Sequence, residues 1–411
     1  MWPLHTVNFP VLTQVNLLRY LIVWRVNGSQ VQLPRCLPVE ISQVLASLIA
    51  ERLPSQQAKP WRKAVAGWET LPDEAGQVGA GQAGAGQVGA GLRPAPTIWP
   101  GWPIEAVVWP YPGKRAYGQG EPLLWELKLL GAAADHGLFL EMILPAMEAA
   151  ATTTDERWRR ARSLWGRFDI QAIYAARGPR WEPFVTDGRL DLAYRPTPSQ
   201  WAEGFTFEAD GKRRYHRLSW LTPFDFGLGN ADFGMDGCAV DFGLGNADFG
   251  MDGGAVDFGL DGGADNPQSP IPNPQSPMPE KPGRAVRNPQ STVRKPQSTV
   301  RKPQSKAPAL RAVLDALMAR IAPLTLGKWA TAEQAWGTLT AQEQQSIWLD
   351  CEACRLKRAM LERAPRDGPG RWIGAQLFAA LPPRLWPYLE LASVLHVGKH
   401  THFGCGTFAL E

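Results

Sequence analysis

The sequence is poor in cysteine and in long apolar runs. These two shortages argue against a disulfide-stabilised secreted domain and against a membrane-spanning protein. Five of its 411 residues are cysteines, scattered at Cys36, Cys238, Cys351, Cys354 and Cys405. Such spacing does not provide the paired framework of small secreted domains, so we expect a reducing compartment, the cytoplasm. A membrane-spanning helix needs about 20 consecutive apolar residues, which this sequence lacks, and its start does not resemble a signal peptide. We therefore expect no membrane partner.

Charge and histidine are also limited. The formal net charge is +4, from 43 Lys and Arg against 39 Asp and Glu, which alone says little about partners. Histidine occurs six times, and none lies between His5 and His136. Hydrophobic residues make up 44% of the chain, enough for sizeable cores, so most of it should be globular.

Two low-complexity segments divide the chain. Residues 76–97 contain Gly-Gln-Val-Gly-Ala repeats and are predicted to form a flexible linker. Residues 225–308 open with two near-identical copies of DFGLGNADFGMDGCAV and continue in Pro-Gln-Ser units. These units carry few apolar residues, which favours disorder over a repeat fold. The remainder is predicted to be a short N-terminal domain, 1–75, and a C-terminal domain, 98–224 with 309–411.

Hydrophobic periodicity indicates an α+β fold. Residues 17–26 are a β-branched and aromatic run before an Asn-Gly turn, and apolar residues at helical spacing follow up to Arg52. Residues 123–129 alternate apolar side chains with Glu126 and Lys128, as in a half-buried strand. An amphipathic helix is predicted from Leu310 to Ile321. The recurring strand–helix–strand order predicts two domains of the split β-α-β, ferredoxin-like kind.

The segment LHVGKHTHFGCG, residues 395–406, combines three glycines with polar side chains. Glycine permits close approach of another chain, and loop amides with Lys399 and the Thr401 hydroxyl could contact a phosphodiester backbone. A tight helix-to-strand turn is an equally simple interpretation. Zinc is disfavoured, because His400, His402 and Cys405 lack a second pair at ligand spacing. We expect no metal and no cofactor.

This segment resembles the C-terminal signature of the CRISPR-associated RAMP endoribonucleases that process precursor crRNA, the Cas six family. In that family a Gly-Lys-x-Thr-x-Phe-Gly-x-Gly segment forms a glycine-rich loop. Further landmarks resemble the family in the same order: GEPLLWELKLLGA at 120–132, LWGRF at 164–168, SWLTPF at 219–224 and the pair Arg320-Ile321.

The resemblance implies two ferredoxin-like (RAMP/RRM-like) domains, the second interrupted by the long insert, that hold CRISPR repeat RNA. It also implies metal-independent cleavage, in which a 2′-hydroxyl attacks the adjacent phosphate and leaves a 2′,3′-cyclic phosphate. The basic segment 157–162 adds arginines suited to phosphate. The expected RNA-binding residues are Gly398, Lys399, His400, Thr401, His402, Gly404, Gly406, Arg159 and Arg160.

The first domain departs from the family pattern. The family often places a histidine base near its first helix, where this sequence has none. Tyr20, Lys59, Lys63 and His5 are possible substitutes, and no catalytic residue is assigned. The alternative hypothesis is therefore a catalytically inactive crRNA-binding protein, or an effector-complex subunit with other CRISPR proteins as partners.

Overall fold

The computed structural model describes residues 15–69, 101–111, 113–203, 214–227, 310–365 and 368–411. Within these ranges, no helix is both long and apolar enough to span a bilayer. The described residues form two modules, each an antiparallel sheet with helices. The predicted α+β class is confirmed.

The first module contains a six-stranded sheet in the order β3-β5-β1-β6-β7-β8, and a separate two-stranded ladder, β2-β4. Its elements are β1 (Leu17–Val26), β2 (Gln30–Gln32), α1 (Leu37–Arg52), α2 (Ser55–Glu69), β3 (Ala106–Pro110), β4 (Ala116–Gly118), β5 (Pro122–Leu130), α3 (His136–Leu138), α4 (Leu144–Thr152), β6 (Phe168–Arg177), β7 (Arg180–Thr186) and β8 (Arg189–Leu190).

Alternation along β1 places its large side chains on one face of this sheet. Tyr20, Ile22 and Trp24 are fully buried in the same core cluster as side chains of α1 and α4. The helix α1 begins with a proline in its first turn, where no amide donor is needed, and gives way to extended backbone at Leu53, before Pro54. The residues of this segment therefore define both ends of the helix that covers the sheet.

The second module contains a four-stranded sheet in the order β10-β11-β9-β12. Capping boxes begin two of its helices, at Thr331 and Thr340. Its elements are β9 (Arg217–Phe224), α5 (Leu310–Thr325), α6 (Ala332–Trp336), α7 (Ala341–Ala353), β10 (Leu356–Arg363), β11 (Trp372–Phe378), α8 (Trp386–Leu395) and β12 (Phe408–Leu410).

The two modules share one connectivity. In each module, four strands of the sheet and the helices between them follow the order β-α-β-β-α-β along the chain. These strands are β1, β3, β5 and β6 in the first module and β9, β10, β11 and β12 in the second. In the sheet, the first lies between the third and the fourth, and the second lies beyond the third, which gives the orders β3-β5-β1-β6 and β10-β11-β9-β12. All these neighbours pair antiparallel. In each module, one intervening strand separates the second strand from the first.

The domain boundaries drawn from the sequence differ from this arrangement. The strand β1, expected in a domain ending at residue 75, pairs with β5 and β6, which were expected in the other domain. Alternation of apolar residues predicts a strand but not its partner, so this pairing was not visible in the sequence. The second module begins with β9, at Arg217.

The long insert was predicted to begin at Asp225, but its first residues belong to the second module. Asp225 is 8% exposed, and its carbonyl oxygen accepts from the Lys399 backbone amide at 2.7 Å. The rest of that segment, from residue 228, and the Gly-rich segment 76–97 lie outside the described residues.

Candidate functional site

The glycine-rich loop, residues 396–407, connects α8 to β12 and is tied to the end of β9. The amide of Val397 donates to the Gly406 carbonyl at 3.0 Å, and the Gly406 amide donates to the Pro223 carbonyl at 2.9 Å. His396 and His400 have φ near +60°. The loop is therefore folded back on itself rather than extended toward solvent.

Two of its glycines are required by contacts inside the protein. At Gly406 (φ 82°), a Cβ atom would lie 1.9 Å from the Val397 carbonyl oxygen. At Gly404 (φ 73°), it would lie 3.0 Å from the Val108 carbonyl oxygen on β3. The close approach that suggested an RNA backbone is thus already made by the chain's own backbone, and at Gly404 it joins the two modules.

Two loop histidines are engaged by the first module. His402 Nδ1 lies 3.0 Å from the Ala106 carbonyl oxygen, and its Nε2 lies 3.1 Å from the Ser42 hydroxyl on α1. His396 is fully buried, with Nδ1 3.0 Å from the Gly404 carbonyl oxygen. Burial lowers the pKa of both imidazoles. A carbonyl oxygen can only accept, so each ring, when neutral, carries its proton on Nδ1.

A buried polar network lies beneath this loop. Lys128 Nζ on β5 donates to the Val394 carbonyl at 2.7 Å and lies 3.0 Å from His396 Nε2. It also lies 3.9 Å from the carboxylate of Glu126, which accepts from Arg19 Nε at 2.6 Å. Desolvation lowers the pKa of Lys128 to about 7, although the Glu126 charge opposes that shift. The network joins the sheet of the first module to the end of α8.

Sequence reasoning missed this network. The alternation along β5 was interpreted as a half-buried strand with Glu126 and Lys128 on its polar side, whereas they are 0% and 2% exposed. The second module covers Lys128 with the end of α8. Two opposite charges spaced by one residue on a strand share a face, and that spacing was the available signal.

A second contact between the modules involves one of the sequence landmarks. Arg320 on α5 pairs with Glu105, just before β3, at 2.9 Å. Its neighbour Ile321 is buried in the second core. The Arg-Ile pair therefore divides into one residue that joins the modules and one that packs within its own module.

The predicted RNA-binding side chains of the loop differ in exposure. Lys399 is exposed and His400 is half-buried. Thr401 is buried at 9% exposure, so its hydroxyl is poorly placed as an RNA donor. Lys399 and His400 are therefore the loop side chains that a ligand could reach without rearrangement.

The basic segment 157–162 lies between α4 and β6. Arg159 and Arg160 are exposed, and their neighbour Arg157 pairs with Glu51 of α1 at 2.9 Å. The glycine-rich loop meets the same helix at Ser42. Both predicted RNA-binding regions thus border α1.

The predicted substitutes for a histidine base lie in different environments. The Tyr20 hydroxyl is buried 3.0 Å from His136 Nδ1, and burial raises the pKa of Tyr20. This group is not accessible as a base. Lys59 and Lys63 are exposed on α2, and His5 lies outside the described residues.

Comparison with known proteins does not place the chain in a family. No family model matches the sequence, and no curated protein matches it. Within the described ranges, no three His, Cys, Asp or Glu side chains are grouped closely enough to hold a metal ion. Function is therefore inferred from the geometry of the chain itself.

Replacing Gly406 by Ala should unfold the loop locally and destabilise the protein by at least about 3 kcal/mol, because backbone strain is added to a clash with a carbonyl oxygen. Gly188 is the matched control: it has φ 72° and open space at its Cβ position. Gly188→Ala should cost about 1 kcal/mol, from strain alone. Guanidinium unfolding of both variants measures the difference, and equal losses would show that the Val397 contact is unimportant.

Lys128 should make stability depend on pH. The unfolded chain holds the lysine proton up to about its ordinary pKa of 10.5, while the folded protein releases it near 7. Between these values the unfolded state binds more protons, so the lysine's contribution to the unfolding free energy rises with pH and is lost as pH falls through 7.

The measurement is the unfolding free energy of wild type and Lys128→Met at pH 7, 8 and 9. The unfolding free energy of the wild type, relative to that of Lys128→Met, should rise from pH 7 to pH 9. Lys63→Met, which removes an exposed lysine, should run parallel to wild type. Parallel curves for all three proteins would mean that Lys128 stays charged in the folded state.

Proposed function

We propose that the chain binds CRISPR repeat RNA and cleaves precursor crRNA as a RAMP-type protein in the cytoplasm, and that both modules are ferredoxin-like. The observation that carries the proposal is the repeated β-α-β-β-α-β connectivity, with the glycine-rich loop between the last helix and last strand of the second module. The loop lies against the first module, so RNA bound there could contact both.

In this proposal the loop offers side chains to the RNA, while its glycines set the backbone path. Lys399 is exposed, and its backbone amide is anchored on Asp225, so its ammonium group is presented from a fixed backbone position. His400 lies beside it and is half-buried. Arg159 and Arg160 would add phosphate contacts along α1.

The proposed cleavage needs no metal. A base takes the proton of the 2′-hydroxyl, the 2′-oxygen attacks the adjacent phosphorus, and the bond from phosphorus to the 5′-oxygen breaks as that oxygen is protonated. Lys59, Lys63 and His400 are accessible groups that could move these protons. Burial lowers the pKa of His400, with Asp225 opposing the shift, which suits the neutral imidazole that a base requires.

A catalytically inactive crRNA-binding protein is the second candidate. The burial of Tyr20 and the engagement of both ring nitrogens of His396 favour it, because these groups cannot take a proton from RNA as they stand. RNA binding at Lys399 is common to both candidates.

Lys399→Ala should weaken the binding of repeat RNA regardless of sequence and make it less dependent on salt. Loss of one contact to single-stranded RNA should reduce the log–log slope of affinity against salt by roughly 0.7. Lys328→Ala is the control, since it removes an exposed lysine from the turn after α5. Affinities at several salt concentrations measure both effects, and identical slopes for all three proteins would remove Lys399 from the proposed site.

Cleavage of repeat RNA should persist in EDTA and stop when the nucleotide before the scissile phosphate is 2′-deoxy, because that nucleotide supplies the nucleophile. Gel analysis of the two substrates measures this. Activity that EDTA abolishes would indicate a metal-dependent nuclease. Tight binding without cleavage of either substrate would support the inactive candidate.

A further inference from the structure

The outer face of the six-stranded sheet, which points away from α1 and α4, carries a band of partly exposed side chains. We call this band the aromatic strip. The strand register aligns it: Val23 lies opposite Leu124, Leu21 lies opposite Tyr174, and Ala176 lies opposite Trp181. The strip consists of Tyr111, Leu124, Val23, Tyr174 and Trp181, all half-buried.

The strip is continuous with the glycine-rich loop. The ring of Trp109 lies 4.6 Å from that of Tyr111 and 5.8 Å from the imidazole of His396. A Cβ atom at Gly404 would lie 3.1 Å from the Trp109 ring. A ligand on the strip would therefore extend from the loop across the first sheet.

Arginines accompany the rings. The Arg19 guanidinium lies 5.2 Å from the centroid of the Trp181 ring and is held by Glu126. Arg25 is exposed on β1, two strand positions beyond Val23, and therefore lies on the same face as the strip. The Trp181 ring beside the Arg19 guanidinium provides a stacking surface and positive charge together.

We infer that the aromatic strip binds unpaired bases of single-stranded RNA, an inference that rests on the proposed function. Every base has a π-face that stacks on Tyr or Trp, whereas the bases of a duplex are already stacked on one another. Arg19, on the same face beside the Trp181 ring, is 15% exposed and adds positive charge that suits the phosphates accompanying stacked bases.

The test uses the full chain and fluorescently labelled oligouridine, with a duplex of equal length for comparison. Trp181→Ala and Tyr174→Leu should each weaken oligouridine binding at least about fivefold, from the loss of one stacked base. Trp181→Phe, which keeps a ring, should retain most of the affinity. Because stacking releases few ions, the salt slope should stay at the wild-type value, unlike that of Lys399→Ala.

Trp329→Ala is the matched control. Trp329 is 87% exposed, with Lys328 at 5.6 Å from its ring centroid, and it lies on the turn after α5 rather than on the strip. Its removal should leave oligouridine affinity unchanged. Thermal unfolding verifies that each variant is folded, and Tyr174→Leu retains a large apolar side chain where Trp181→Ala does not.

Oligouridine affinities unchanged by both strip variants, with wild type still binding, would overturn the inference and leave the proposed function standing. Failure of wild type to bind any RNA would instead contradict the proposed function itself. An altered oligomeric state in sedimentation, with unchanged RNA affinity, would identify the strip as a protein interface and would also overturn the inference.

Discussion

Lys128 places an amine in the interior between the two modules, where it has lost the hydration that a surface lysine keeps. Its partners are the Val394 carbonyl and the His396 imidazole of the second module, and Glu126 of its own strand. An amine buried in this way must be hydrogen-bonded, since an unpaired one would cost several kcal/mol. The position of the end of α8 on the first sheet therefore depends on this contact.

The same contact limits the conformational freedom of the loop that follows α8. His396, bonded to Lys128, also faces the Gly404 carbonyl, and Gly404 in turn packs on Val108 of the first sheet. A loop held at both ends by buried partners has little conformational freedom. Its exposed residue, Lys399, is thus displayed from a rigid base, which lowers the entropy lost when a ligand binds.

Burial also determines which loop histidines hold the backbone in position and which one is accessible for proton transfer. Desolvation lowers the pKa of His396 and His402 although their carbonyl partners oppose that shift, so both rings contribute position rather than proton transfer. His400, at φ 61° and half-buried, remains accessible. Three histidines within seven residues thus differ because their environments differ, although their chemistry in water is the same.

Periodicity within the sequence was sufficient for the α+β class, for strands such as β1 and β5, and for helices such as α1 and α5, because each depends on neighbours a few residues away. The three glycines of segment 395–406 located the glycine-rich loop. Tertiary structure alone decided that β1 pairs with β5 and β6, that Glu126 and Lys128 face another module instead of water, and that Gly404 and Gly406 approach the chain's own backbone. Except for the Gly406 approach, which is to nearby Val397, these outcomes depend on contacts between residues about a hundred or more positions apart. Local patterns carry no information about which distant segment will cover a given face.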